Sequence, residues 1–129
     1  MLRTLIIDDN PLFLTSLSQL LGLFPGVSVV AVACDGEEGL RVAAEVVPDL
    51  VFVDLHMPGL GGLEVATQLR QSRPQTRVVV MSWHEDSEYR KRVAAVGAER
   101  FVCKGNLLTK LPVIVSGPIA TSPTVRGAK

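Results

Sequence analysis

The sequence has little cysteine, no excess of charge of either sign and no long apolar run. Its 13 basic residues balance 13 acidic ones, which leaves no electrostatic footprint for nucleic acid or an anionic membrane. The 2 cysteines, Cys34 and Cys103, match no metal-binding spacing and are too few for a disulfide framework. No apolar run is long enough to span a membrane, and the N-terminus has no signal-peptide pattern. These absences predict a cytoplasmic protein with reduced thiols and no membrane partner.

Apolar residues are plentiful instead, and they fall into short runs. Hydrophobic residues make up 47% of the 129 residues and charged residues 20%, which is typical of a single globular domain. Most runs are apolar throughout rather than alternating, as expected for strands of a parallel sheet covered on both faces. The predicted strands are Leu5–Ile7, Ser28–Ala33, Leu50–Val53, Val78–Met81 and Phe101–Val102.

Helical patterns separate these runs. Asn10 followed by Pro11 predicts the start of a first helix, and Pro25-Gly26 predicts its end. Its core-facing residues are Phe13, Leu17, Leu20, Leu21 and Phe24. The other predicted helices lie between Asp35 or Gly36 and Pro48, around Leu63, Ala66 and Leu69, and between Asp86 or Ser87 and Gly97. Alternating strands and helices predict an α/β fold with a doubly wound parallel sheet.

Polar residues follow four of the predicted strands. Asp8 and Asp9 follow the first strand, and Asp54 follows the third. Ser82 follows the fourth strand, and Lys104 follows the fifth. Because doubly wound sheets bind ligands beyond the carboxyl ends of their strands, these side chains are expected to meet at one crevice.

Three carboxylates at one crevice repel, so they either raise a pKa or recruit a cation. Mg2+ fits this set because it is bound by one or two carboxylates together with water and phosphate oxygens. Asp9 and Asp54 would bind it directly, Asp8 would hold a metal-bound water, and the His56 carbonyl would add a neutral oxygen. One carboxylate can then attack phosphorus, with Lys104 neutralising charge on the transferred group.

Four stretches together resemble the receiver domain of bacterial two-component response regulators, in the CheY-like superfamily. They are LIIDDNP, DLVFVDLHMPGLGGLEV, VVVMSW and AERFVCK, and the resemblance covers Leu2 to Leu111. It implies a flavodoxin-like, five-stranded parallel sheet of strand order 2-1-3-4-5. The spacings from Asp54 to Ser82 and from Ser82 to Lys104 resemble those of the NarL/FixJ subgroup, which usually carries a LuxR-type helix-turn-helix output.

The resemblance also implies a phosphoacceptor site. Asp54 would receive a phosphoryl group from a sensor histidine kinase. Asp8 and Asp9 would be the acidic pair for Mg2+, and the carbonyl of His56 would complete the protein ligands. The domain would assist its own phosphorylation and dephosphorylation, but it would not be an enzyme that turns over a metabolite.

A second set of residues would convert phosphorylation into a conformational change. Ser82 and Lys104 would move towards the phosphoryl oxygens, and Phe101 would turn from an exposed to a buried position. By the same resemblance, His56 and His84 would tune the rate of dephosphorylation. The surface that changes would be the helix 4–strand 5–helix 5 face, through which these domains usually dimerise or dock.

Two neighbouring features have more open interpretations. Trp83, beside Ser82, either lies exposed near the site or has a packing role. The run Arg90-Lys91-Arg92 is predicted to be a solvated helix face with some role in docking.

The C-terminal part departs from the receiver pattern. Gly105 stands where many receivers have proline, and Pro112 interrupts the helical periodicity. The sequence therefore predicts a short or irregular fifth helix, a receiver domain over residues 1–111, and a linker-like or loosely packed tail over residues 112–129. This C-terminal segment is a second candidate dimer contact. The chain would be a piece of a longer transcription regulator or a stand-alone receiver, and it would reach DNA only through an output domain that is missing here.

Two rival functions stay open at this point. The first is a phosphorylation-independent interaction and dimerisation module with the receiver fold. The second is a hydrolase of the haloacid dehalogenase type, which also uses a strand-end aspartate and Mg2+. That chemistry requires Asp-x-Asp after the first strand, whereas Asp8 and Asp9 are adjacent. No P-loop pattern is present, which argues against a nucleotide switch.

Overall fold

Strands and helices alternate along residues 1–117, the part of the chain that the computed structural model describes. The strands are β1 (Leu2–Ile7), β2 (Val27–Ala33), β3 (Leu50–Asp54), β4 (Arg77–Ser82) and β5 (Arg100–Cys103). The helices are α1 (Pro11–Gly22), α2 (Gly36–Val46), α3 (Gly62–Ser72), α4 (Ser87–Ala95) and α5 (Leu107–Val115), with a 3-10 turn at Lys104–Asn106 before α5.

All neighbouring strands of the sheet are parallel, and their order is β2-β1-β3-β4-β5. This confirms the predicted flavodoxin-like, doubly wound α/β fold. The register pairs Asp54 with Met81 and Ser82 with Cys103, so the ends of β3, β4 and β5 lie side by side. The polar residues that follow these strands therefore start from one edge of the sheet.

The core has two halves, one on each face of the sheet. Leu5 and Val51 point to the half covered by α2, α3 and α4, whereas Ile6 and Phe52 point to the half covered by α1 and α5. Every residue of β3 and β4 is buried, because both faces of these central strands are covered. This arrangement explains why their apolar runs do not alternate with polar residues.

The helix ends follow the predicted signals. The side chains of Asn10, Asp35 and Asp86 accept hydrogen bonds from the first backbone N–H groups of α1, α2 and α4. These bonds satisfy donors that have no partner inside the helix. After α4, Gly97 has a φ of 90°, a left-handed conformation that a side chain would disfavour.

Both cysteines are free, as the sequence predicted. Cys34 follows β2 and Cys103 belongs to β5, and these strands form opposite edges of the sheet. No helix within residues 1–117 is long and apolar enough to cross a membrane.

The predicted domain boundary after residue 111 needs correction, because α5 continues through Pro112 to Val115. A proline inside a helix costs about 3 kcal/mol, since one hydrogen bond is lost and the ring meets the preceding turn. Leu111 and Ile114 are each 0% exposed, and burial of such side chains stabilises the domain by about 1.5–3 kcal/mol each. Packing on the sheet therefore offsets the proline. The fifth helix is short, with 9 residues, as predicted.

A buried arginine also holds the end of α5. The Arg77 guanidinium donates a hydrogen bond to the carbonyl oxygen of Ile114 at 2.7 Å and two to the Glu99 carboxylate at 2.6 Å each. The same carbonyl also accepts from the N–H of Gly117 at 3.2 Å, so Arg77 adds a side-chain bond to a backbone bond at the end of α5. Residues 118–129 of the predicted tail lie outside the described residues, so their linker character stays a prediction.

The extent of α5 can be tested by two neighbouring substitutions. Ile114→Ala is expected to lower the free energy of unfolding by about 2–5 kcal/mol, because it leaves a cavity in the core. Val113→Ala is the matched control, since Val113 is 55% exposed and should change stability by no more than about 0.5 kcal/mol. Chemical denaturation of both variants measures the difference, and equal effects would contradict a helix that packs beyond Pro112.

Candidate functional site

Three carboxylates meet at the predicted edge of the sheet. Ligand oxygens of Asp8, Asp9 and Asp54 all lie within 4.8 Å of one another. They line a pocket of about 630 Å3, together with residues that include His56, His84, Trp83 and Lys104. The structure therefore brings together all three predicted acids, the predicted lysine and both predicted histidines.

Local backbone contacts fix the two buried acids. The Asp8 N–H donates to the carbonyl of Ala33 at 3.1 Å, and its Oδ1 accepts from the N–H of Asn10 at 2.9 Å. Asp54 is the last residue of β3, and the first residue of α3, Gly62, packs against its backbone. A Cβ on Gly62 would collide with the Asp54 carbonyl oxygen, so only glycine allows this close approach.

Lys104 supplies a cation to the buried acids. Its Nζ lies 2.7 Å from Asp8 Oδ2 and 3.2 Å from Asp54 Oδ1, with Asp8 0% and Lys104 7% exposed. Burial raises the pKa of Asp54 above its ordinary value; Lys104 opposes this rise, and the charges of Asp8 and Asp9 add to it. One ammonium therefore only partly compensates three carboxylates, and the pocket attracts further positive charge.

The donor set fits Mg2+. Hard divalent cations prefer oxygen ligands, and this pocket offers carboxylate oxygens close enough to share one ion. The Lys104 ammonium already contacts two of these acids, Asp8 at 2.7 Å and Asp54 at 3.2 Å, whereas Asp9 is exposed. The division of direct and water-mediated coordination among the three acids stays a prediction. Coordination by the His56 carbonyl stays a prediction.

The predicted switch hydroxyl faces its own loop. Ser82 is 1% exposed at the end of β4, and its Oγ accepts a hydrogen bond from the N–H of His84 at 3.1 Å. The hydroxyl thereby holds the start of the loop between β4 and α4. The ring of the other predicted histidine, His56, contacts the ring of Tyr89 edge-on, with centroids 5.5 Å apart.

Phe101 is buried, at 6% exposed, the position that the switch hypothesis assigns to the phosphorylated domain. The Arg90 guanidinium lies over its ring at 4.9 Å and donates to its carbonyl oxygen at 3.2 Å. Arg90 also binds both carboxylate oxygens of Glu85, at 2.8 and 2.9 Å. These hydrogen bonds lower the pKa of the Glu85 carboxyl group. The predicted solvated face around Arg90 thus includes a specific contact with Phe101, whose switching role stays a prediction.

Two aromatic residues also belong to the site; Phe13 was not predicted there, whereas exposure near the site was one of the two interpretations of Trp83. Lys104 Nζ lies 4.2 Å from the ring centroid of Phe13 and 5.4 Å from that of Trp83. The sequence had assigned Phe13 to the core, and the position of Trp83 was open. Trp83 is 55% exposed and lines the pocket, so the structure supports an exposed position near the site rather than a packing role. The sequence indicated this location for Trp83, because Trp83 directly follows Ser82 at the end of the fourth strand.

Comparison with known families agrees with this geometry. The model of the response regulator receiver domain matches residues 4–116. The chain therefore belongs to the response regulator receiver domain family, the family that its sequence resembles, and not to the haloacid dehalogenase type.

Several response regulators are similar to this chain. It is 33% identical to response regulator GacA of Pseudomonas viridiflava over 129 residues, covering 97% of this chain and 60% of that protein. It is 37% identical to nitrate/nitrite response regulator protein NarL of Escherichia coli K12 over 100 residues, covering 78% of this chain and 46% of that protein. The chain thus spans about half to three-fifths of the length of these curated relatives.

Solved structures show the same likeness. The receiver domain of the putative response regulator NarL from Mycobacterium tuberculosis has a TM-score of 0.79 at 28% identity, covering 91% of this chain and 98% of that one. A LuxR-family response regulator from Aurantimonas has a TM-score of 0.80 at 29% identity, covering 97% and 92%. The predicted NarL-like subgroup is therefore confirmed.

The charge balance of the pocket predicts a pH-dependent stability difference. Because the pKa of Asp54 is raised in the folded protein, stability falls as pH rises through that pKa, and it stays reduced where Asp54 is ionised. Asp54→Asn removes this charge and is expected to raise the melting temperature by a few degrees at neutral pH. The gain should shrink as the pH falls, because wild-type Asp54 is then protonated.

Thermal unfolding over a pH series measures this difference. Asp35→Asn is the matched control, since Asp35 is an exposed N-cap and asparagine caps a helix about as well. A lower melting temperature for Asp54→Asn at neutral pH would contradict the charge balance described above.

Proposed function

We propose that this chain is a phosphoacceptor that takes a phosphoryl group from a sensor histidine kinase onto Asp54. The observation that carries the proposal is the placement of three carboxylates and a buried ammonium at one pocket. Such a set is suited to a divalent cation and to the charge of a transferred phosphoryl group. Mg2+ would supply electrostatic stabilisation of that charge when bound.

The residues present would carry out the transfer as follows. A carboxylate oxygen of Asp54 attacks the phosphorus of the kinase phosphohistidine, so an O–P bond forms as the P–N bond breaks. The bonding electron pair returns to the imidazole nitrogen of the kinase. Lys104, 3.2 Å from Asp54, offsets the negative charge on the phosphoryl oxygens. Hydrolysis later returns Asp54 and inorganic phosphate, and His56 and His84 line the pocket from which water would attack.

The switch would begin at Ser82. A phosphoryl group adds about −1.5 to −2 charge and three acceptor oxygens next to the loop that Ser82 starts. Turning its hydroxyl to these oxygens would release the His84 N–H and move the loop. Phe101 and Arg90 would transmit this movement to the face formed by α4, β5 and α5. Homodimerisation or docking would follow at this face, with the C-terminal segment as the alternative contact.

The output of the switch would be a change in transcription. The similar proteins include a transcriptional regulatory protein, DegU of Brevibacillus brevis, and others that are longer than this chain. Contact with DNA would therefore depend on an output domain outside this sequence. The free thiols suit the reducing cytoplasm, where the kinase would act.

Phosphorylation can be tested by intact mass. Incubation with Mg2+ and acetyl phosphate is expected to add the mass of one phosphoryl group to the wild type. Asp54→Asn should gain none, because it lacks the nucleophile. Asp9→Asn should gain the phosphoryl group only slowly, because this variant lacks one of the predicted Mg2+ ligands. The ion pairs of Lys104 with Asp8 and Asp54 do not involve Asp9, so the substitution leaves them in place. Asp35→Asn controls for the loss of a surface carboxylate.

The same samples distinguish the rival proposal of a phosphorylation-independent interaction module. That function would be supported if the wild type neither bound Mg2+ nor took up beryllofluoride, yet still formed its complexes. Uptake of the phosphoryl group by Asp54→Asn would show that Asp54 is not the acceptor.

The role of Ser82 gives a separate prediction. Ser82→Ala is expected to accept the phosphoryl group but to lose the change in oligomeric state or docking, because no hydroxyl reaches the phosphoryl oxygens. Ser72→Ala, on the surface of α3, is the control. Size-exclusion chromatography with and without acetyl phosphate measures the response, and an unaltered response would remove Ser82 from the mechanism.

A further inference from the structure

The Lys104 ammonium has two kinds of neighbours. On one side lie the carboxylates of Asp8 and Asp54, at 2.7 and 3.2 Å. On the other lie the rings of Phe13 and Trp83, with centroids at 4.2 and 5.4 Å. The two rings also contact each other edge-on, with centroids 5.9 Å apart. Phe13 belongs to α1 and Trp83 to the loop after β4, so the fold assembles the pair from separate segments.

We propose that Phe13 and Trp83, here called the aromatic clamp, are positioning residues that hold the Lys104 ammonium beside Asp54. A cation over an aromatic face is attracted by the negative charge of the π system, within about 6 Å of the centroid. Both rings meet this distance, and the ammonium is buried, which strengthens the attraction. The proposal rests on the proposed phosphoacceptor function, because Lys104 is its phosphate-binding cation.

Burial alone does not explain the position of Trp83. This side chain is 55% exposed, and it is absent from both halves of the core in the described residues. A large ring that is half in solvent gains only part of the free energy of burial. Its contacts with the Lys104 ammonium and with the ring of Phe13 account for its orientation across the pocket.

The aromatic clamp can hold the Lys104 ammonium when a cation occupies the carboxylates. A divalent cation and the Lys104 ammonium would compete for the same acids, since the carboxylates of Asp8 and Asp54 contact Lys104 and also belong to the candidate metal-binding group. Neutralising the acids weakens their hold on the ammonium. The rings have no net charge and are not ligands for Mg2+, so their attraction persists. Phe13 and Trp83 therefore keep Lys104 at the pocket when the acids are occupied.

The position of the ammonium can be read directly by NMR. Ring currents are expected to shift the ε-methylene proton resonance of Lys104 upfield of the exposed lysines, with assignment by its loss in Lys104→Met. Exposed Lys110 provides the reference resonance. In a Phe13→Leu/Trp83→Leu double variant the Lys104 resonance should move to the reference position. An unchanged resonance would overturn the clamp.

Mg2+ and the conservative variants sharpen this test. Saturating Mg2+ should leave the Lys104 resonance upfield in the wild type, and a shift to the reference position would overturn the proposal. Phe13→Tyr and Trp83→Phe keep an aromatic face, so each should retain an upfield resonance. Loss of the shift in both would indicate that packing rather than the ring face positions Lys104, which would contradict the proposal.

The clamp also predicts a rate effect. With acetyl phosphate and saturating Mg2+, Phe13→Leu and Trp83→Leu are each expected to be phosphorylated about fivefold more slowly than the wild type. Phe13→Tyr and Trp83→Phe should stay within about twofold. Equal rates for leucine and aromatic variants would overturn the clamp. If the wild type takes no phosphoryl group, the proposed function fails, whereas the resonance of Lys104 still decides whether the clamp exists.

Discussion

Electrostatic repulsion among three carboxylates is the constraint around which this domain is built. Unit charges 4.8 Å apart, at an effective dielectric constant of about 20, repel by roughly 3 kcal/mol. Two of these acids are also buried, so solvent relieves little of that repulsion. Lys104 balances part of it, and the strands with their helices hold all four groups in place. The fold thus stabilises a local arrangement that is unfavourable in itself, which is how binding sites for cations are prepared.

Much of the fold and most of the site could be predicted from the sequence, because local and global signals agree. Apolar runs such as Leu50–Val53 favour a strand that is covered on both faces. Asn10 and Asp86 carry the oxygens that the first turns of α1 and α4 require. Since parallel strands end at one edge, knowing which residue follows each strand was enough to bring Asp8, Asp54 and Lys104 together.

The features that the sequence did not reveal are contacts between distant segments. Pro112 is unfavourable for a helix when judged locally, but the burial of Ile114 and the hydrogen bond from Arg77 are tertiary effects that no sequence window contains. Phe13 has the helical spacing of a core residue, and that spacing does not reveal that its ring also faces an ammonium from the other end of the chain. Sequence patterns report which face a residue occupies, not which side chain it meets there.

Arg90 binds two segments at once, with Glu85 in the loop after β4 on one side and Phe101 in β5 on the other. These contacts of Arg90 couple the conformation of the loop to that of the strand. Such coupling is reciprocal, because a change at either end alters the other by the same free energy. Under the proposed phosphoacceptor function, a partner bound beside Arg90 would then also alter the affinity of the pocket for a phosphoryl group. The docking surface would act on the pocket as well as respond to it.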